Sequence, residues 1–209
     1  MIGQCSIRIL SVDDHPLFRE GIAAVIKNQP DMLLVAEAAS AGEALQRFRE
    51  HRPDVTLMDL RLPDSSGIEA MTAIRTHFSE ARVILVSTFE GDVEIQSALE
   101  AGAWGYIVKT MPPREMVEVI RQVYAGRKCI PPPIAAHLAE HLGEEALTSR
   151  EVEVLARVAG GNRNRDTGQW LFISEDTVKS HMKQIMQKLG ARDRTDALTI
   201  AARRGIIRL

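Results

Sequence analysis

The sequence predicts a doubly wound α/β domain of five parallel strands, followed by a small all-α domain. Three observations lead there. Five short β-rich runs alternate with amphipathic helical segments as far as residue 125, a proline-rich stretch breaks the rhythm, and only helical patterns recur beyond it. Alternating β and α units argue for a parallel sheet covered on both faces, and four helices without a strand argue for a separate helical bundle.

The runs Ile7–Val12, Met32–Ala36, Val55–Met58, Val83–Val86 and Tyr106–Val108 are short and β-rich, as buried parallel strands tend to be. Between and after them the helical patterns are Pro16–Asn28, Ala41–His51, Gly67–Phe78, Asp92–Ala101 and Pro113–Ala125. Pro16 suits the first helical turn, where its missing N–H would have been an orphan donor, and Ser40 is an N-cap for the second helix. Pro131-Pro132-Pro133 stiffens the stretch Gly126–Gly143, which reads as a linker with a short helix over Ile134–His141. Thr148 and Glu151 form a capping box. The helices expected after it are Ser149–Ala159, Asn164–Leu171, Glu175–Leu189 and Arg194–Arg203. The domain division is therefore 1–125, a linker 126–146, and 147–209.

Composition narrows the function class. Of the 209 residues 45% are hydrophobic and 26% charged, ordinary values for a globular chain. No run approaches the roughly 18 apolar residues of a membrane span. The start MIGQCSIRILSVDDH lacks the basic and apolar segments of a secretory signal. Cys5 and Cys129 match neither a metal site nor a disulfide framework. The expectation is a reduced, cytoplasmic protein with no membrane partner. Residues 148–209 carry 12 Lys/Arg against 7 Asp/Glu, whereas 1–147 carry 14 against 21. A basic half on an acidic one points to a polyanion partner for the helical domain.

Chemistry collects at the carboxyl ends of the strands, where open parallel sheets keep their sites. The first strand runs into Asp13-Asp14, the third into Asp59, the fourth into Ser87-Thr88 and the fifth into Lys109. Each has a bland reading: Asp13 and Asp14 as helix caps, Asp59 as a turn residue, Lys109 as a solvated lysine, Ser87 as a strand-end hydroxyl. Their coincidence at the same sheet edge favours one crevice. Clustered carboxylates repel unless a cation is present, and hard oxygen donors suit Mg²⁺. A carboxylate there can act as a nucleophile towards a phosphoryl group, with a lysine neutralising the transferred oxygens.

The stretches SVDDHPLFREGI, PDVTLMDLRLPDSSGIEA, VILVSTFE and ALEAGAWGYIVK resemble a two-component receiver domain over residues 7–125. The resemblance implies a flavodoxin-like fold. It implies that Asp59 is the phosphoacceptor, receiving the group from a sensor histidine kinase. It implies Mg²⁺ bound by Asp14, Asp59 and the backbone carbonyl of Arg61, with Asp13 acting through water. Ser87, 22 residues before Lys109, has the family spacing of the hydroxyl that meets the phosphoryl group, and Lys109 would pair with it. Tyr106 takes the aromatic switch position and moves with Ser87; its bland reading is a core tyrosine.

The C-terminal stretch LFISEDTVKSHMKQIMQKLG resembles a LuxR-type helix-turn-helix, and the two resemblances together imply a response regulator of the NarL/FixJ class. Ser174 caps the helix that follows it. Val178, Met182, Ile185, Met186 and Leu189 form its apolar stripe. The polar face then offers Lys179, Ser180 and Lys183 to base edges in double-stranded DNA. Thr177, Gln184 and Lys188, with Asn164 and Arg165 on the preceding helix, are expected at phosphates. His181 is either a core-edge residue or a phosphate contact. Homodimerisation on phosphorylation is expected, with the surface around Asp196–Arg203 as its candidate. One departure stands out. Thr167 and Gly168 occupy positions where the family has an aliphatic residue and Ala, and Trp170 one that is usually polar. A mid-helix glycine costs about 1 kcal/mol relative to Ala. Two other functions compete with this one. An enzyme of the same fold lacks support, because no glycine-rich phosphate loop or nucleophile elbow is present. An adaptor whose helical domain binds protein instead of DNA is motivated by Thr167, Gly168 and Trp170. The reading is a non-enzymatic transcription regulator.

Overall fold

The computed structural model describes residues 6–88, 91–141 and 145–207. Cys5 lies outside them, as do residues 142–144 of the expected linker. The elements follow one another as β1 (Ile7–Val12), α1 (Pro16–Lys27), β2 (Met32–Ala38), α2 (Ala41–His51), β3 (Val55–Asp59), α3 (Gly67–His77), β4 (Val83–Ser87), α4 (Asp92–Glu100), β5 (Gly105–Val108) and α5 (Pro113–Tyr124). Among the described residues five helices follow: α6 (Pro132–Glu140), α7 (Ser149–Ala159), α8 (Asn164–Leu171), α9 (Glu175–Lys188) and α10 (Arg194–Arg203).

All strands pair in parallel, in the order β2-β1-β3-β4-β5. The order reverses between β1 and β3, the switch point at which a crevice opens above the strand ends. Every residue of β3, β4 and β5 is buried, which is why these strands are largely apolar and do not alternate with polar residues. Ile9, Leu57, Ile84, Ile107 and Ile120 lie in the core packed under α1 and α5.

The described chain groups into two compact units, one of residues up to 88 with 97–135 and one of 91–96 with residues from 136 onward. In the first, residues beyond α5 still belong to the sheet: the amide of Cys129 donates to the carbonyl of Trp104 at 2.9 Å, and Cys129 bridges Gly105. Burial pushes the Cys129 thiol up from its ordinary value. In the second unit, Val154, Leu155, Val178, Met182, Ile185 and Ala201 form the core of the helical bundle.

The caps explain where the helices begin. The hydroxyl of Ser40 accepts from the amide of Glu43 at 3.2 Å, and Pro occupies the first turn of α1. Ser66 with Glu69, and Thr148 with Glu151, close reciprocal capping boxes. Ser174 caps α9 through the amide of Thr177 at 3.1 Å. Among the described residues no helix is long and apolar enough to cross a membrane.

Candidate phosphoacceptor site and nucleic-acid interface

β1 and β3 lie side by side, so the residues at their ends share one crevice. Asp59 closes β3 and is only 3% exposed; Asp13 follows β1 and is 2% exposed. Lys109 reaches in from the end of β5. Its Nζ lies 2.8 Å from Asp59 Oδ2 and 2.6 Å from Asp13 Oδ2, so one ammonium serves two buried carboxylates. The Phe18 ring of α1 covers the same Nζ at 4.7 Å, and the amide of Arg61 donates to Asp59 Oδ1 at 3.2 Å. Asp14 stands at the rim with its side chain 38% exposed.

The electrostatics of the crevice follow from burial. Desolvation pushes the Asp59 carboxyl up from the ordinary carboxylate range. The Lys109 and Arg61 hydrogen bonds oppose this, while the Asp13 charge adds to it. For Lys109 desolvation works downward, but its hydrogen bonds to Asp13 and Asp59 and their charges prevail, holding the ammonium above its usual value. Three carboxylates against one lysine leave an excess of negative charge. Side-chain donor atoms of Asp13, Asp14, His15 and Asp59 all lie within 4.8 Å of one another, so the cluster fits a divalent ion.

The remaining expected residues sit at the same sheet edge. Ser87 ends β4 and is buried, one step beyond Val86, the register partner of Asp59. Tyr106 is fully buried in β5. Some contributors escaped sequence reasoning. A Cβ at Gly67 would overlap the carbonyl oxygen of Asp59, so α3 can start against the acceptor strand only with glycine there. Arg19 bonds the carbonyl of Asp13 at 2.5 Å. His15 faces both Asp13 and Asp14. For His15 the available signal was its place between Asp14 and Pro16.

In the helical unit, α9 buries Val178, Met182 and Ile185, and leaves Lys179, Ser180, Lys183 and Gln184 exposed on the opposite side. Arg165 on α8 is also exposed. Other expected DNA contacts are engaged internally. Lys188 is tucked against α7, with Nζ 3.0 Å from both Glu145 and Glu151. Asn164 Oδ1 accepts from Arg194 at 2.8 Å, and the Thr177 hydroxyl bonds that of Ser174 at 2.8 Å. Lys179 pairs with Glu175 and Asp176, each at 3.1 Å. The Nδ1 of His181 is buried with no hydrogen-bond partner among the described residues.

The irregular segment has a steric reason. Gly168 is buried, and a Cβ there would stand 2.7 Å from the carbonyl oxygen of Ile173, so a glycine lets the turn fold back onto α8. Thr167 is fully buried with its hydroxyl unsatisfied among the described residues. Trp170 lies beside the Arg157 guanidinium, 4.9 Å from the ring centroid, and stays 63% exposed. Phe172 ends α8 in the left-handed region, φ 56°, with 96% of its surface in solvent.

Comparison with known proteins gives the same two parts. Residues 9–121 match the response regulator receiver domain, and residues 145–201 match the bacterial regulatory proteins of the luxR family. The chain is 37% identical over 212 residues to the uncharacterized transcriptional regulatory protein YxjL of Bacillus subtilis, covering 96% of this chain and 97% of that one. It is 36% identical over 209 residues to the B. subtilis transcriptional regulatory protein LiaR, covering 96% and 99%. A crystal structure of a LuxR-family two-component response regulator from Aurantimonas sp. SI85-9A1 superposes with a TM-score of 0.63 at 43% identity, over 65% of this chain and 97% of that one. The chain therefore belongs to the LuxR-type response regulators, DNA-binding transcriptional regulators of two-component systems in which a receiver domain precedes a LuxR-family domain.

Proposed function

We propose that Asp59 takes a phosphoryl group from a phosphohistidine of a sensor histidine kinase, and that this controls DNA binding by the helical unit. The observation that carries the reading is the single ammonium of Lys109 lying within 3 Å of both buried carboxylates, Asp59 and Asp13. In the transfer, an Asp59 carboxylate oxygen forms the new O–P bond as the N–P bond of the phosphohistidine breaks, and the departing imidazole keeps its electron pair and takes a proton. Lys109 balances charge on the transferred oxygens, and Ser87 offers a hydroxyl to one of them. Asp14, Asp59 and the Arg61 carbonyl would hold Mg²⁺, with Asp13 acting through water; the ion's contribution is to neutralise phosphoryl charge. The new group adds roughly one to two negative charges. Lys109 and Ser87 turn towards it, and Tyr106 shifts with Ser87, biasing an existing two-state equilibrium.

The output surface is α9, with Lys179, Ser180 and Lys183 at base edges. Gln184 and Arg165 meet phosphates, whereas Lys188 is held by Glu145 and Glu151, Asn164 by Arg194, and Thr177 by Ser174 at the start of α9. Two chains pair through α10, whose Thr195, Thr199 and Arg203 are exposed at helical spacing. The domain division is 1–125, 126–146 and 147–209, and the compartment is the cytoplasm.

The test is a gel shift of the full chain on genomic fragments, with and without acetyl phosphate and Mg²⁺. Wild type gains affinity for a specific fragment on phosphodonor addition, and Asp59→Asn retains basal binding without the gain. If both gain equally, Asp59 is not the acceptor.

A further inference from the structure

The loop between β1 and α1 carries a nitrogen donor among the acidic oxygens. His15 Nδ1 lies 2.7 Å from Asp14 Oδ1 and 3.1 Å from Asp13 Oδ1, and the amide of His15 donates to that same Asp13 oxygen at 2.8 Å. Neighbouring ligands on an ion with bonds of about 2.1 Å stand roughly 3 Å apart, so the His15–Asp14 spacing suits two donors to one cation, with Asp13 beside them at the distance of a hydrogen bond. The backbone holds the arrangement. The following proline confines His15 to extended geometry, and its φ of −87° and ψ of 107° fall there. The imidazole remains 68% exposed, open to an ion arriving from solvent.

We infer that His15 is an additional metal ligand of the acidic site, and that it extends the site from hard Mg²⁺ to borderline transition-metal ions such as Co²⁺. This rests on the reading of Asp13, Asp14 and Asp59 as a cation site. Carboxylates and carbonyls suit Mg²⁺, whereas an imidazole nitrogen raises affinity for the later first-row divalent ions and adds little for Mg²⁺. The competing role is a rim ion pair or hydrogen bond with no ligand function, for which exposed pairs contribute little.

The two roles separate in a metal titration of the full, tag-free chain after chelator treatment, with Mg²⁺ and Co²⁺ followed by calorimetry. The variant is His15→Asn, since Asn is a good N-cap and keeps the start of α1. Its Co²⁺ affinity should fall at least about tenfold while its Mg²⁺ affinity changes less than about twofold. The visible Co²⁺ spectrum should change in the same variant, as expected on loss of a nitrogen donor. Equal effects on both ions, or no effect on either, overturn the ligand role of His15. Asp14→Asn is the control for the underlying site. If it loses both ions while His15→Asn discriminates between neither, only the inference fails; if it binds both ions as wild type does, the cation site and the His15 role fail together.

Discussion

Glu151 concentrates several kinds of interaction in one side chain. It is 3% exposed, accepts from the amide of Thr148 at 2.7 Å and its hydroxyl at 3.0 Å, and meets Lys188 Nζ at 3.0 Å. Burial pushes its carboxyl up, but the Thr148 and Lys188 hydrogen bonds outweigh burial, and the net shift is downward. A folded-state value below the unfolded one, about 4.3 for Glu, stabilises the protein above that pH and loses its effect as pH falls through the folded value. Glu151→Gln should therefore lower the stability of the helical unit at pH 7 by about 1–3 kcal/mol. It should also remove part of the acid-induced loss seen in wild type. Urea unfolding at pH 7 and below pH 4 measures both, and identical pH profiles would disprove the assignment. The capping box was legible in the sequence, because Thr and Glu three residues apart before an apolar run have a local mechanism. Its ion pair with Lys188 was not, because the two residues are 37 positions apart and only the packing of α7 on α9 brings them together.

At the scale of an element, α8 sets local propensity against packing. Helix propensity predicts that Gly168→Ala stabilises α8 by about 1 kcal/mol. The close approach of the Ile173 carbonyl predicts the opposite, since the obstructing atom is backbone and cannot rotate away. Packing should win, with a net destabilisation of about 1–3 kcal/mol, read as a lower Tm for the helical unit. A higher Tm would mean that the turn relaxes freely. Gly67 is the counterpart in the sheet unit, where α3 begins against the Asp59 carbonyl. Most strand positions and helix starts were readable because apolar runs, prolines and caps act locally; α6, expected from Ile134, instead begins at Pro132, since proline suits a first helical turn. The reasons for these two glycines lie in non-neighbouring backbone, which periodicity does not encode.

For the whole molecule, the uneven charge between the N-terminal 147 residues and the rest predicts distinct salt responses. DNA affinity should fall steeply with salt, by about 0.9 log units per log unit of salt for each phosphate neutralised. Phosphoryl acceptance in the buried crevice should respond far less, because buried pairs are weakly screened. Among the lysines of α9, Lys183→Ala should reduce the salt slope by about one. Lys188→Ala should instead destabilise the bundle and change the slope little, since its ammonium is held by Glu145 and Glu151. Equal slope changes in the two variants would place both ammonium groups on DNA.

Local chemistry written in the sequence determined the strands, the helix starts, the two-part organisation and the residue types that end at one sheet edge. Those features depend on apolar periodicity, capping and turn residues, all short-range. Tertiary structure decided how Lys109 is shared between Asp13 and Asp59, why Gly67 and Gly168 must be glycine, and which basic residues of α9 are exposed. Each of these depends on distances between segments far apart in the chain. Asp59 itself illustrates the division. Its place at a strand end and its partner Lys109 were readable, whereas its burial, the sharing of that lysine with Asp13 and the His15 nitrogen near its acidic neighbours came from the fold.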